Sequence, residues 1–294
     1  MSALVTRLAS VKSATSRSLI TRVIKSGRIP RLAFQHYFIE GSGLHSRVHL
    51  QNFYSTFWPH IDAPVLAHVD AYDAGGAHLG RKTEAIPHFG SMFLEARDLL
   101  AALGSTASEG SIAIDLVPPP AALKELAAFP IPDPWALLLS SPFWMAYYDD
   151  DENYMYVHSI DRFAGSYRGV PGPVSWALGN RFAGEGAAWR AGRLIDISGL
   201  NDFQVVITNH GPEQRSPLVT LRDGPTDETL WSATTDLPPH GLRRLHVDLD
   251  TLRTAARATG ASSFRVGVDP LPTANGKPYV LMRYGDGPLS LHHG

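Results

Sequence analysis

The chain of 294 residues contains no cysteine. Disulfides and thiolate metal sites are therefore excluded, and any metal or nucleophile must come from His, carboxylate or hydroxyl side chains. No uninterrupted run of about 18 apolar residues occurs, so no segment reads as a membrane-spanning helix. Charged residues make up 18% and the net charge is −2, which offers no electrostatic footprint for nucleic acid. The familiar catalytic signatures are missing as well: there is no G-x-S-x-G elbow, no Walker loop and no dinucleotide fingerprint behind a candidate strand. Acid is absent from the start of the chain, whose first carboxylate is Glu40.

That acid-free start forms a basic arm over residues 1–31. Arg7, Lys12, Arg17, Arg22, Lys25, Arg28 and Arg31 alternate with apolar residues, and Leu4/Leu8/Val11 and Leu19/Val23 follow helical spacing. Such a pattern suits a helix or arm that packs on a neighbouring surface or touches an anionic membrane, and it also fits a cleaved targeting segment. The expected location is cytoplasmic, with peripheral membrane contact through the arm.

Beyond the arm the sequence repeats itself. Val48, Leu50 and Asn52, then Val69, Ala71 and Asp73, Leu79, Ile86-Pro87 with Gly90, Leu94, Ile112, Ile114 and Pro142 find counterparts in the same order. These are Val205, Ile207 and Asn209, then Val219, Leu221 and Asp223, Leu230, Leu237-Pro238 with Gly241, Leu245, Phe264, Val266 and Pro278. The offset is 157 at Asn52/Asn209, 150 at Asp73/Asp223, 151 at Leu94/Leu245, 152 at Ile112/Phe264 and 136 at Pro142/Pro278. Insertions between strands account for such changes, because loops lie on the surface. A repeat this long is domain-sized, since solenoid units run to about 20 to 50 residues.

Inside each copy the pattern is that of strands. Runs such as Arg47 to Asn52, Val65 to Tyr72, Phe203 to Thr208 and Leu218 to Arg222 are rich in Val, Ile and Leu and bounded by turn residues. Asp73-Ala-Gly-Gly76 and Asp223-Gly-Pro-Thr226 read as hairpin turns. Leu94 to Leu103 and Leu245 to Ala258 carry helical spacing, giving one short helix per copy. Val69, Ala71, Val219 and Leu221 are expected inward, while His68, Asp70 and Tyr72 share the outward face. The fold class expected is all-β: two tandem, mutually similar β-sandwich domains of immunoglobulin-like or jelly-roll-like type, each of roughly six or seven strands. The boundaries are residues 32–160, with an insert at 117–141, and residues 161–294, whose first part is a glycine-rich linker.

Candidate sites follow from residue chemistry. His45, His49, His68 and Asp70 could converge on a transition metal if their strands adjoin. Asp149, Asp150 and Asp151 form an acidic tip beside Trp144 and Tyr148, with Tyr147, Tyr154 and Tyr156 nearby; carboxylates suit a hard cation, and exposed rings suit a sugar or a protein. Trp176, Arg181 and Trp189, in the linker, are candidates for lining a groove between the domains. No complete catalytic constellation emerges. The expectation is a noncatalytic binding or assembly protein that contacts its ligand through loops and the interdomain groove. Self-association or a protein partner leads, carbohydrate follows, and no nucleic acid is expected. The alternative is a metal-dependent enzyme using the His/Asp set of the first copy; the sequence names no cofactor.

Overall fold

Alternation of apolar and polar residues along short runs is the local cause of most of the structure. In strand β2 (Leu44–Gln51), for example, every second residue is buried. The computed structural model describes residues 31–128, 143–158, 167–168, 188–209, 211, 213–272 and 277–293. The expected arm, apart from Arg31, and Trp176 and Arg181 lie outside the described residues. The protein is mostly β and β-sandwich-like, with its named strands arranged in four antiparallel sheets.

Strands of the first half are β1 (Arg31–Ile39), β2, β3 (Val65–Asp73), β4 (His78–Ile86), β5 (Ser91–Glu95), β6 (Glu109–Val117), β7 (Phe143–Asp149), β8 (Tyr154–His158) and the short β9 (Tyr167–Arg168). Sheet I has the order β4-β3-β6-β1-β9, and sheet II the order β5-β2-β7-β8. The second half contributes β10 (Trp189–Arg190), β11 (Ile195–Asp196), β12 (Leu200–Thr208), β13 (Leu218–Asp223), β14 (Thr229–Thr234), β15 (Leu242–His246), β16 (Ser263–Asp269), β17 (Tyr279–Tyr284) and β18 (Ser290–His293). Sheet III runs β10-β16-β13-β14, with β11 also on β16, and sheet IV runs β15-β12-β17-β18. Strand for strand, sheets I and III and sheets II and IV thus share an order.

Among the described residues, four helices connect these strands: α1 (Tyr54–Phe57), α2 (Ala96–Ala102), α3 (Pro120–Ala128) and α4 (Leu249–Thr259). None of the described helices is long and apolar enough to cross a membrane. Asp248 caps α4 by accepting the N–H of Asp250, and Gly260, at φ 74°, ends it in the left-handed conformation that glycine adopts without strain. Within the insert, α3 buries Ala122 in the first core, so this part covers the first half's own interior.

The two halves use the same polar hook. Asn52 Nδ2 donates to the carbonyls of Ala63, Ile86 and Pro87 at 3.1 to 3.3 Å. Asn209 Nδ2 donates to those of Glu213, Leu237 and Pro238 at 2.7 to 3.5 Å. Their backbone N–H groups reach Gly90 O and Gly241 O, at 3.0 and 2.8 Å. Buried carbonyls at a proline turn need such donors, because proline supplies no N–H.

Three sequence readings are corrected by the strand pairing. First, the segment read as wholly helical begins as a strand in both halves: Leu94 lies on β5 and Leu245 on β15, and the helices start at Ala96 and Leu249. Second, Ile112 matches Val266, not Phe264, because Ala71 faces Ile112 while Leu221 faces Val266. That slip of two preserves the facing. Third, Trp144 opposes His49 while Tyr279 opposes Val206, so β7 and β17 match at an offset of 135 rather than 136. A one-residue slip exchanges the two faces of a strand. Pro142 and Pro278 precede their strands, where spacing does not fix the register.

Two apolar clusters form. The second lies within its own half, around Phe203, Val205, Leu221, Phe264 and Val266. The first joins Val48, Val69, Ile114, Met145 and Tyr147 with Val206, Leu242, Tyr279, Leu281 and Leu291 from sheet IV. Polar groups fix this contact. Tyr279 Oη lies 3.1 Å from His36 Nδ1 and 3.5 Å from the N–H of Tyr37. Arg244 Nε donates to Glu109 Oε2 at 3.0 Å, and the N–H of Leu242 donates to Ala74 O at 3.0 Å.

Candidate binding face

Sheet II points one set of side chains into the first core and the other set outward. Leu44, Ser46, Val48 and Leu50 of β2 face inward, with Met145 and Tyr147 of β7 and Val157 of β8. The alternate residues make the outer face. Cross-strand pairing sets Phe93, His49 and Trp144 in one row and Glu95, Arg47, Ala146 and Tyr156 in the next; His45, Tyr148 and Tyr154 form a third. Neighbours on such rows stand about 4.5–5.5 Å apart at Cβ, close enough for their rings to touch.

Arg47 holds the centre of this grid. Its guanidinium lies 4.7 Å from the Phe93 ring centroid, 5.1 Å from that of Tyr148 and 5.6 Å from that of Tyr154. Glu95, itself buried, accepts from Arg47 at 2.5 Å and from the Tyr148 hydroxyl at 2.7 Å. Burial and the Glu95 bond push the Tyr148 phenol up to about 12, while the Glu95 bond, opposed by burial, raises Arg47 further. Charge and acceptor are thus already spent on each other. Their effect is to hold the rings in place by charge-assisted and cation–π contacts.

Around this centre the rings form a continuous apolar surface. Tyr148 stacks on Tyr154 at 5.0 Å and Tyr154 on Tyr156 at 6.1 Å, and His49 lies between Tyr156 and Phe93 at 5.8 and 6.3 Å. Burial, reinforced by the Arg47 charge, lowers the His49 pKa and keeps the imidazole neutral at pH 7. Its Nε2 is covered and has no hydrogen-bond partner among the described residues. Even so, Phe93 is 60% exposed, Tyr156 57%, Trp144 49% and Tyr154 37%. Large rings this open on one sheet face belong to a surface rather than a core.

The other candidates fall elsewhere. His45 bridges Glu40 Oε2 at 3.1 Å and Asp150 Oδ1 at 3.0 Å, clasping the β1–β2 turn to the β7–β8 turn. Asp149 accepts the N–H groups of Asp151 and Asn153 and the Asn153 amide, at 2.8 to 3.0 Å, so the acidic tip is a self-bonded turn. Asp151 is exposed. His68 and Asp70 sit on β3 of sheet I, whereas His45 and His49 sit on β2 of sheet II. His68 bonds Thr83 Oγ1 at 2.9 Å, and Asp70 is held by Arg81 and His78 at 2.6 to 2.9 Å. Burial opposes the charge on Asp70, but these two bonds outweigh it and lower its pKa. Among the described residues no three His, Asp or Glu side chains are grouped to hold a metal. Trp189 lies on β10, partly buried against the second core.

Arg47, Phe93 and Glu95 were not singled out by sequence reasoning. The signal that marks the face is spacing of rings in multiples of two, Trp144/Tyr148 on β7 and Tyr154/Tyr156 on β8, whereas Phe93 and Glu95 join the first two rows only when β5 pairs with β2. No protein-family model and no curated protein matches the chain. Among solved structures, a protein designated a beta-galactosidase from Bacteroides fragilis aligns with 88% of this chain and 32% of its own, at 11% identity and TM-score 0.17. An exo-chitosanase from Amycolatopsis orientalis, in complex with PNP-beta-D-glucosamine, aligns with 79% of this chain and 24% of its own, at 10% identity and TM-score 0.16. The chain thus spans about a third or less of those proteins, and likeness at this level carries no argument about fold or function.

Proposed function

We propose that the chain is a noncatalytic binding or assembly protein, built from two tandem, duplicated β-sandwich units, with the outer face of sheet II as its recognition surface. One observation carries the reading: Phe93, Trp144, Tyr154 and Tyr156 are exposed together around an Arg47–Glu95–Tyr148 centre whose polar groups are already satisfied. Such a face supplies stacking area and no nucleophile paired with a base, so it favours binding over catalysis. Duplication is supported by the shared strand orders and by the Asn52 and Asn209 hooks. The basic arm is a second attachment point, for a partner surface or an anionic membrane.

The test is a triple variant, Phe93→Ser, Trp144→Ser and Tyr156→Ser, in the full chain. Self-association by light scattering and binding to soluble polysaccharides by tryptophan fluorescence are compared with the parent. Loss of whichever association the parent shows, with the unfolding midpoint little changed, is the expected result; unaltered association overturns the reading. Metal analysis of the purified chain distinguishes the enzyme alternative, which requires stoichiometric transition metal that is lost on substituting His68 and Asp70.

A further inference from the structure

The two halves meet through unlike surfaces. The second half offers the outer face of sheet IV; the first offers the ends of β1, β3 and β6 together with β8. A contact between unlike surfaces of similar units does not close on itself, so among the described residues one unit has a face and the other an end that this contact does not use. The spare face is sheet II of the first half. The spare end is the part of the second half around residues 193–196, 222–224 and 263.

We propose that these two surfaces bind each other between copies, so that the chain associates head to tail with a second copy of itself. This rests on the duplication and on the binding face inferred above. Matching strands through Asn52/Asn209 and Asp73/Asp223, the pairing registers place Trp144 where the second half has Tyr279, Phe93 where it has Arg244, and Tyr156 where it has Leu291. On the other surface, Phe38 and Ile195 hold the same place and Gln35 and Arg190 another, so Ala191 stands where the first half has His36, and Gly192, Arg193 and Leu194 bulge where it has Tyr37. Likewise Ser263 stands at the place of Glu109 and Arg222 at that of Tyr72.

Each internal contact then has a chemically sensible counterpart between copies. Tyr279 meets His36 and the N–H of Tyr37 within the chain; between chains Trp144 comes against the bulge that carries Arg193, and a guanidinium on an indole is a favourable pair. His240 stacks on Tyr72 at 5.6 Å; the counterpart sets Phe89, 64% exposed, against Arg222. Arg244 pairs with Glu109; at the matching places stand Phe93 and Ser263, so the charge is gone from both surfaces and neither buries a lone ion. Leu194, 48% exposed, and Tyr284, 39% exposed, supply apolar area at the receiving end. One position loosens the fit. A Cβ on Gly76 would lie 1.9 Å from Pro239 O, and the matching residue in the second half, which likewise bonds the carbonyl at the start of its turn, is Asp227, which has a Cβ. The turn bearing Phe89 must therefore sit further out than its counterpart, and the association is weaker than the internal one and concentration dependent.

Sedimentation velocity on the full chain, from about 1 to about 500 µM, tests this, since micromolar contacts dissociate within that range. The parent chain is expected to grow with concentration past the dimer. A face variant, Phe93→Ser with Trp144→Ser, and an end variant, Arg193→Glu with Leu194→Ser, should each stay monomeric, with association weakened at least about tenfold. Mixed in equal amounts they should form a dimer that grows no further, because each retains the surface the other has lost. All four positions are exposed, and unfolding midpoints check that both variants fold; Phe93→Ser alone serves if the pair does not. A parent chain that stays monomeric, a dimer that stops at two copies, or a mixture that fails to associate overturns the proposal. If the parent stays monomeric yet a soluble polysaccharide changes its tryptophan fluorescence, the face binds sugar, and the binding reading stands without this inference.

Discussion

The same sheet face has opposite fates in the two halves. On sheet IV it carries Val206, Leu242, Leu281 and Leu291, all buried against the first half. On sheet II the matching places hold His49, Ser91, Ala146 and Tyr156, beside Phe93 and Trp144, and the rings stay open to solvent. Aliphatic side chains suit a permanent, fully desolvated contact, whereas rings with polar edges suit a surface that must be stable both wet and covered. What the difference teaches is that one sheet architecture can carry either a buried or an exposed outer face, and side-chain identity goes with which.

The sharpest break of this comparison is a matched pair of truncations. Leu291→Ala removes a side chain only 1% exposed from the cluster that joins the halves, and large-to-small changes of this kind cost about 2–5 kcal/mol. Tyr156→Ala, at the matching place, should cost under about 0.5 kcal/mol, as a surface change does, while weakening association. Urea unfolding of both variants checks the contrast. Equal costs would mean that the sheet II face is structural.

Next in size is the close approach at Gly76. Its φ of +87° and the carbonyl of Pro239 against its missing Cβ leave no room for alanine, so Gly76→Ala should destabilise by about 1–3 kcal/mol. Asp227→Ala, at the matching place in the second turn, loses chiefly its ion pairs with Arg190 and Arg222 and should cost only about 0.2–1 kcal/mol. Thermal unfolding of the pair reads the difference.

Where the halves agree, substitutions should agree. Asn52→Ala and Asn209→Ala each strand three carbonyl acceptors near a proline turn, and each should cost about 1–3 kcal/mol. Chemical unfolding that gives one a large cost and the other none would separate the roles of the two hooks.

These pairs also show what the sequence made legible. The mostly-β class, the inward Val69, Ala71, Val219 and Leu221, and the matched places of Asn52 and Asn209, though not the hooks their amides form, could be read from it, because buried periodicity is local. Less could be read of the face. Its centre, Arg47 with Phe93 and Glu95, depends on β5 lying beside β2, and residues around Leu94 carry spacing that also suits a helix. Asp70 and Tyr72 were correctly placed off the core face, yet both are buried, Asp70 by Arg81 and His78 and Tyr72 near His240. Long-range covering of that kind leaves no periodic trace.

The smallest effect distinguishes the halves by pH. His45 clasps Glu40 and Asp150, whereas the second half has no histidine at that place: the matching residue is Asp202, which accepts from Gln204 at 2.9 Å. Burial opposes a charge on His45, but the bonds to Asp150 and Glu40 outweigh it, so its pKa lies above the usual value. A folded-state pKa above the unfolded one, about 6.5, means that the clasp contributes fully below that pH and fades as pH rises through the folded value. With Asp150 open to solvent, the contribution is about 0.2–1 kcal/mol. Urea unfolding across pH should therefore show the parent more stable than His45→Gln below about pH 6.5, with the gap closing at higher pH. A gap that widens with pH would reverse the sign and show that His45 is held neutral, its ring packed on Tyr148 rather than paired with the two carboxylates.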